Sequence, residues 1–153
     1  MPVDDLTASV ELPVSQQRAF TIFVHEFSSW WPPEFSWSGA KLLVDVGIDA
    51  RVGGALYEIG PHELRWDFGL VTSLDEPRSL GFTWQIGPDR APVPDPNQAT
   101  EVLVSMASLE SGGCRVDVVH RGWDRHGQHA ATYRENFQQA WPYALQRLVD
   151  HAG

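Results

Sequence analysis

The chain has 153 residues, 42% of them hydrophobic and 20% charged, which is the material of one domain with a real core and excludes disordered and collagen-like classes. Eleven Lys and Arg against twenty Asp and Glu leave a net charge of −9, so neither nucleic acid nor an anionic membrane is an expected partner. A single cysteine, Cys114, fits a reducing compartment, no apolar run approaches a membrane span, and the acidic start Met1-Pro2-Val3-Asp4-Asp5 is unlike the basic head of a signal peptide, so the expected location is the cytoplasm.

From Thr7 to Leu12 apolar and polar residues alternate, which predicts a half-buried strand that Pro13 ends. Ser15 follows as a helix N-cap, with Val14 in the staple position. Ala19, Phe20, Phe23, Val24 and Phe27 then recur at helical spacing until Trp30-Trp31-Pro32-Pro33 stops the helix. The Trp30–Trp31 pair reads as an exposed patch able to serve a homodimer.

The middle of the chain reads as strands and turns. Leu42, Val44 and Val46 alternate, and Gly53-Gly54 interrupts a strand over Val52–Ile59, which points to a bulge or a close backbone approach. Between Leu64 and Leu74 the residues Trp66, Phe68 and Leu70 share a face, and between Leu80 and Ile86 so do Phe82, Trp84 and Ile86. The segment Gly87–Ala99 carries four prolines and reads as a loop. Val102, Val104 and Met106 are in phase along the next strand, Ser111-Gly112-Gly113 turns the chain, and Val116, Val118 and His120 are in phase on the way back.

From about His129 to Asp150 the period changes to that of a helix. Tyr133, Phe137, Ala140, Trp141, Ala144 and Leu148 form one stripe, with Pro142 inside it and a kink expected near Gln138. Strand parity predicts an inner surface of Trp66, Phe68, Phe82, Trp84, Val102, Val104, Val118 and His120, faced by Phe137 and Trp141 from the helix.

Few residues carry chemistry. His126-Gly127-Gln128-His129 has ligand types at short spacing but reads as a solvated turn, so no metal and no cofactor are expected. His120 has inward parity and is the first candidate for acid–base work. Glu58, in phase with Leu56, is the second. Asp67, Glu101 and Arg65 read as outward, and no nucleophile elbow, phosphate loop or dinucleotide fingerprint is present.

Several pieces in order carry a family resemblance. They are Val10-Glu11-Leu12-Pro13 before the first helix, Trp30-Trp31-Pro32 after it, Gly53-Gly54, and Gly69-Leu70-Val71 running to Glu76-Pro77. Phe82-Thr83-Trp84, Gly112-Gly113-Cys114-Arg115-Val116, His120-Arg121-Gly122-Trp123 and Trp141 with Leu145 and Leu148 complete the set. Together they resemble the START-like (SRPBCC, helix-grip) superfamily and, within it, the activator homologues of the heat-shock-protein ATPase. The resemblance implies an α+β helix-grip fold over residues 1–153 as a single domain: a curved antiparallel sheet wrapped around a long C-terminal helix, with one or two short helices after the first strand. It also implies a cavity between sheet and helix. Seven tryptophans and seven phenylalanines make that cavity one for a hydrophobic or aromatic small molecule, lined by the inner-surface residues named above. Two other functions stay open: a cyclase, dehydratase or hydrolase using the same cavity, and a chaperone-associated interaction protein.

Overall fold

The computed structural model describes residues 2–153. Its strands are β1 (Leu6–Leu12), β2 (Asp45–Ile48), β3 (Ala55–Ile59), β4 (Arg65–Asp75), β5 (Ser79–Trp84), β6 (Thr100–Ser108) and β7 (Cys114–Arg121). They form one antiparallel sheet in the order β1-β7-β6-β5-β4-β3-β2. Helices α1 (Gln16–His25) and α2 (Phe27–Trp30) follow the first strand, and α3 (Ala130–Ala152) closes the chain. A curled sheet gripping a long terminal helix is the expected helix-grip architecture. No helix among the described residues is long and apolar enough to cross a membrane.

Local chemistry accounts for the element ends. The Ser15 side chain accepts from the Arg18 N–H at 3.1 Å and caps α1. The predicted first helix is two pieces, because α1 ends at His25 and the chain turns at Glu26 before α2. That turn swings Phe27, Trp30 and Trp31 under the sheet. Trp30 and Trp31 are therefore core residues, Trp31 only 4% exposed, and the surface patch expected from the pair does not exist.

Strands β5, β6 and β7 keep the parity expected of them, with Phe82, Trp84, Val102, Val104, Met106, Val116, Val118 and His120 all buried. Two places depart from it. In β4 the register slips twice, since Leu56 faces Gly69 while Tyr57 faces Asp67, and Val71 faces Phe82 while Ser73 faces Gly81. Phe68 and Thr72 are the extra residues of these bulges, so Val71 rather than Leu70 follows Phe68 into the core. The strand expected from Leu42 begins only at Asp45, whose partner Ile59 is the last residue of β3. Leu42 and Val44 lie beyond that end and stay exposed.

Gly53-Gly54 marks a close backbone approach. A Cβ on Gly54 would stand 2.3 Å from the Asp49 carbonyl oxygen, and Gly53 has φ +86°. Helix α3 remains helical through Pro142, so the expected kink is not accompanied by any break. Pro142 and Gln138 both lie on the exposed face, where water reaches the carbonyl that the proline leaves unbonded.

Candidate functional site

The space between sheet and α3 is occupied by aromatic rings in mutual contact. Trp31 is the hub, with ring centroids 5.9 Å from Trp84, 5.8 Å from Trp141, 5.9 Å from Phe35 and 4.9 Å from Phe27. Phe68 and Phe137 each lie 5.5 Å from Trp84. Phe82, Val102, Val104 and Val118 are buried, as inward parity expects, but they pack into this core rather than line open space. Over these residues the Trp-rich cavity expected between sheet and helix is filled by their own side chains. Large indoles set close together leave little room between them.

His120 sits inside the same cluster, 4.1 Å from Trp123 and 4.7 Å from Phe137 by ring centroid. The Trp141 indole N–H donates to Nδ1 at 3.0 Å, so the proton of the neutral ring is on Nε2, which donates to Thr100 Oγ1 at 2.8 Å. Burial pushes the imidazole pKa down to about 3, with nearby His126 adding to the effect. The ring is neutral, fully buried and hydrogen-bonded at both nitrogens.

Glu58 does point inward, and it too is spoken for. Its carboxylate accepts from the Trp37 N–H at 2.7 Å, the Ser38 N–H at 2.9 Å and the Ser38 hydroxyl at 2.8 Å. It anchors the segment that crosses the end of β3. Asp67 pairs with Arg65 at 2.9 Å, and Glu101 with Arg121 and Arg125 at 3.2 and 3.1 Å, all facing outward as expected. Among the described residues no three His, Cys, Asp or Glu side chains gather as a metal site.

Open space begins at the N-terminal half of α3, beneath the proline-rich segment. A cleft of about 250 Å³ has Trp84, Ile86 and Phe137 at its base, Phe35 and Ala140 on one side, and Tyr133 and Pro88 on the other. A second hollow of about 250 Å³ continues it through the shared residues Pro88, Tyr133 and Asn136. Polar groups stand at the rim. The Tyr143 hydroxyl donates to Glu34 at 2.6 Å and holds that carboxyl below its ordinary range. Arg90, at φ +65°, reaches from the proline-rich segment to donate to the Ser36 carbonyl at 2.7 Å. The Tyr133 hydroxyl donates to the Ile86 carbonyl and pins the helix to the segment's root.

Of the ten residues predicted to bind ligand, Trp84 and Phe137 reach this cleft, and Trp66 lies elsewhere, 5.4 Å from Trp37 by ring centroid. Phe35, Tyr133, Asn136 and Arg90 were not predicted as site residues. Tyr133 was legible as part of the helical stripe. Phe35 and Arg90 gave no signal, because their place depends on two loops meeting.

Residues 14–153 match the family described as Activator of Hsp90 ATPase homolog 1-like protein. The chain is similar over its length to several solved structures. One is the anthrahydroquino-γ-pyrone synthase Txn09, at 28% identity, covering 97% of each chain with a TM-score of 0.67. Another is CalC, a self-sacrificing resistance protein from Micromonospora echinospora, at 30% identity, covering 97% of this chain and 93% of that one with a TM-score of 0.66. Protein NE0264 from Nitrosomonas europaea shares the fold at 20% identity, covering 97% and 95% with a TM-score of 0.67. Among curated proteins no match is found. These matches and the helix-grip architecture agree with the START-like superfamily resemblance read from the sequence.

Proposed function

We propose that this chain, which belongs to the Activator of Hsp90 ATPase homolog 1-like family, is a binding protein for a flat, apolar aromatic small molecule held in the cleft between α3 and the proline-rich segment. The observation that carries the reading is the cleft itself. Its base holds Trp84 and Phe137, two rings in edge contact at 5.5 Å, beside Ile86, and its walls are Phe35, Tyr133 and Ala140. Such a surface stacks on a planar ring and offers little to a sugar or a phosphate. Asn136, Arg90 and Glu34 at the rim orient a ligand's polar substituents.

Binding is favoured over catalysis by the state of the two inward titratable groups. His120 is satisfied at both nitrogens and Glu58 accepts three hydrogen bonds, so neither is free to move a substrate proton. The likeness to Txn09, a synthase of an anthrahydroquino-γ-pyrone, supports fused rings as the ligand class.

Screening fused-ring aromatics by intrinsic fluorescence tests the reading. A ligand in the cleft quenches Trp84, and Trp84→Phe removes most of the quenching while leaving that of the other indoles. A panel of such compounds producing no quenching up to its solubility would refute it.

A further inference from the structure

Another opening lies on the far side of the Arg90 strut and shares no lining residue with the cleft. It is a groove of about 490 Å³, walled by Trp37 and Trp66, floored by Glu58, and closed by Pro61, Leu64 and Pro92. We propose that this groove is a separate binding site for a small neutral aromatic molecule.

Three observations carry it. First, large apolar side chains face water there. Trp37 is 55% exposed and Leu64 is 71% exposed, and side chains of that size are left in water together mainly where something else covers them. Their volume of space falls in the range of small-molecule pockets.

Second, the walls are held in place before any ligand arrives. The Glu58 carboxylate fixes the Trp37 and Ser38 backbone N–H groups at 2.7 and 2.9 Å, so the Trp37 indole stands on an anchored segment. Opposite it, His62 and Glu63 both have φ +61°, a left-handed conformation rarely taken by two consecutive non-glycine residues. The turn made by Pro61, His62 and Glu63 thus presents Leu64 outward, against its apolar character. A preformed wall lowers the ordering cost of binding.

Third, the groove offers no free charge at its base. Glu58 is saturated, and Arg65 is paired with Asp67 at 2.9 Å while its guanidinium lies 4.4 Å from the Tyr57 ring centroid. With the chain at net charge −9, an anion is disfavoured, and a cation would find only the indole faces, with no unpaired carboxylate in the groove to add to that attraction. A neutral aromatic molecule is the occupant this lining favours most. The two indoles, 5.4 Å apart and inclined at 58°, touch each other and leave no slot between them. They make a corner, where one ring of the ligand stacks on one indole and meets the edge of the other.

The test uses N-phenyl-1-naphthylamine, a neutral aromatic probe, and the indole N–H signals of the full chain labelled with 15N-tryptophan. Seven signals are available. The expected result is saturable movement of the Trp37 and Trp66 signals, with Leu64→Asp weakening that binding by about tenfold or more, because it sets a carboxylate against the apolar ligand. Leu64 is exposed, so the variant keeps its fold, and Trp37→Ala at another exposed position weakens the Trp66 response in the same way. Trp37 and Trp66 signals that stay still up to the solubility of the probe would overturn the proposal. So would movement abolished by Ala140→Trp in the cleft but untouched by Leu64→Asp. Concentration-dependent movement of the same two signals without probe, abolished by Leu64→Asp, would make a second copy of the chain the occupant and overturn it as well.

Discussion

The indole N–H of Trp141 donates to Nδ1 of His120 across 3.0 Å in the fully buried interface between α3 and β7. This contact decides the tautomer of the imidazole, places its proton toward Thr100, and ties the terminal helix to the sheet. Replacing Trp141 by Phe leaves a buried acceptor without a donor and a small void. The expected loss is about 2–4 kcal/mol of stability, read by urea denaturation.

His120 also sets an acid limit. The imidazole stays neutral in the folded chain down to about pH 3, whereas in the unfolded chain it takes a proton near its ordinary value of 6.5. As pH falls from 6.5 toward 3 the unfolded state binds a proton that the folded state refuses, so stability declines by about 1.4 kcal/mol per pH unit from this group. Above 6.5 the contribution is flat. His120→Gln removes that slope from the difference between variant and wild type, which a series of denaturation curves between pH 4 and 7 measures directly.

Glu58→Gln keeps the shape of the side chain but turns an amide N–H₂ toward backbone donors. At least one of the Trp37 and Ser38 groups loses its acceptor. We expect a loss of about 2–3 kcal/mol and a Trp37 indole that acrylamide quenches more readily. A variant with unchanged stability and unchanged quenching would show that the Trp37 segment is held by something else.

The contrast between these buried groups and the cleft explains what could be read from the residues alone. Parity along β5, β6 and β7 survives intact because none of these strands carries an extra residue in any of its pairings, so Trp84, Val104 and His120 face where alternation says they must. In β4 the same rule fails at Phe68 and Thr72, since neither bulge residue is a glycine or proline that would announce it. The cleft lies where the helical stripe of α3 meets the proline-rich segment. The width of that opening was not legible, because it depends on how closely Trp31 packs against Trp84 and Trp141. Glu58 had inward parity, but its partners are backbone N–H groups some twenty residues away, and backbone donors leave no pattern in a sequence.

Pro142 supplies a further expectation. It lies on the exposed face of a helix that continues through it, and alanine there restores one backbone hydrogen bond to Gln138. Pro142→Ala should stabilise the chain by about 1–3 kcal/mol as measured by thermal unfolding. Cleft residues Tyr133, Phe137 and Ala140 all precede the proline, so ligand affinity in the variant should stay within about twofold of wild type, under 0.5 kcal/mol.

Ala140 lines the cleft opposite Tyr133, and a tryptophan in its place fills the space above Trp84 and Phe137. The most direct measurement is a calorimetric titration with an anthraquinone, comparing Leu64→Asp, in which the Trp37 groove is silenced, with the Leu64→Asp, Ala140→Trp double variant. One-site binding by the first that disappears in the second, with both folded by circular dichroism, is the result predicted for a ligand seated between α3 and the proline-rich segment. Equal affinity in the two proteins would contradict it.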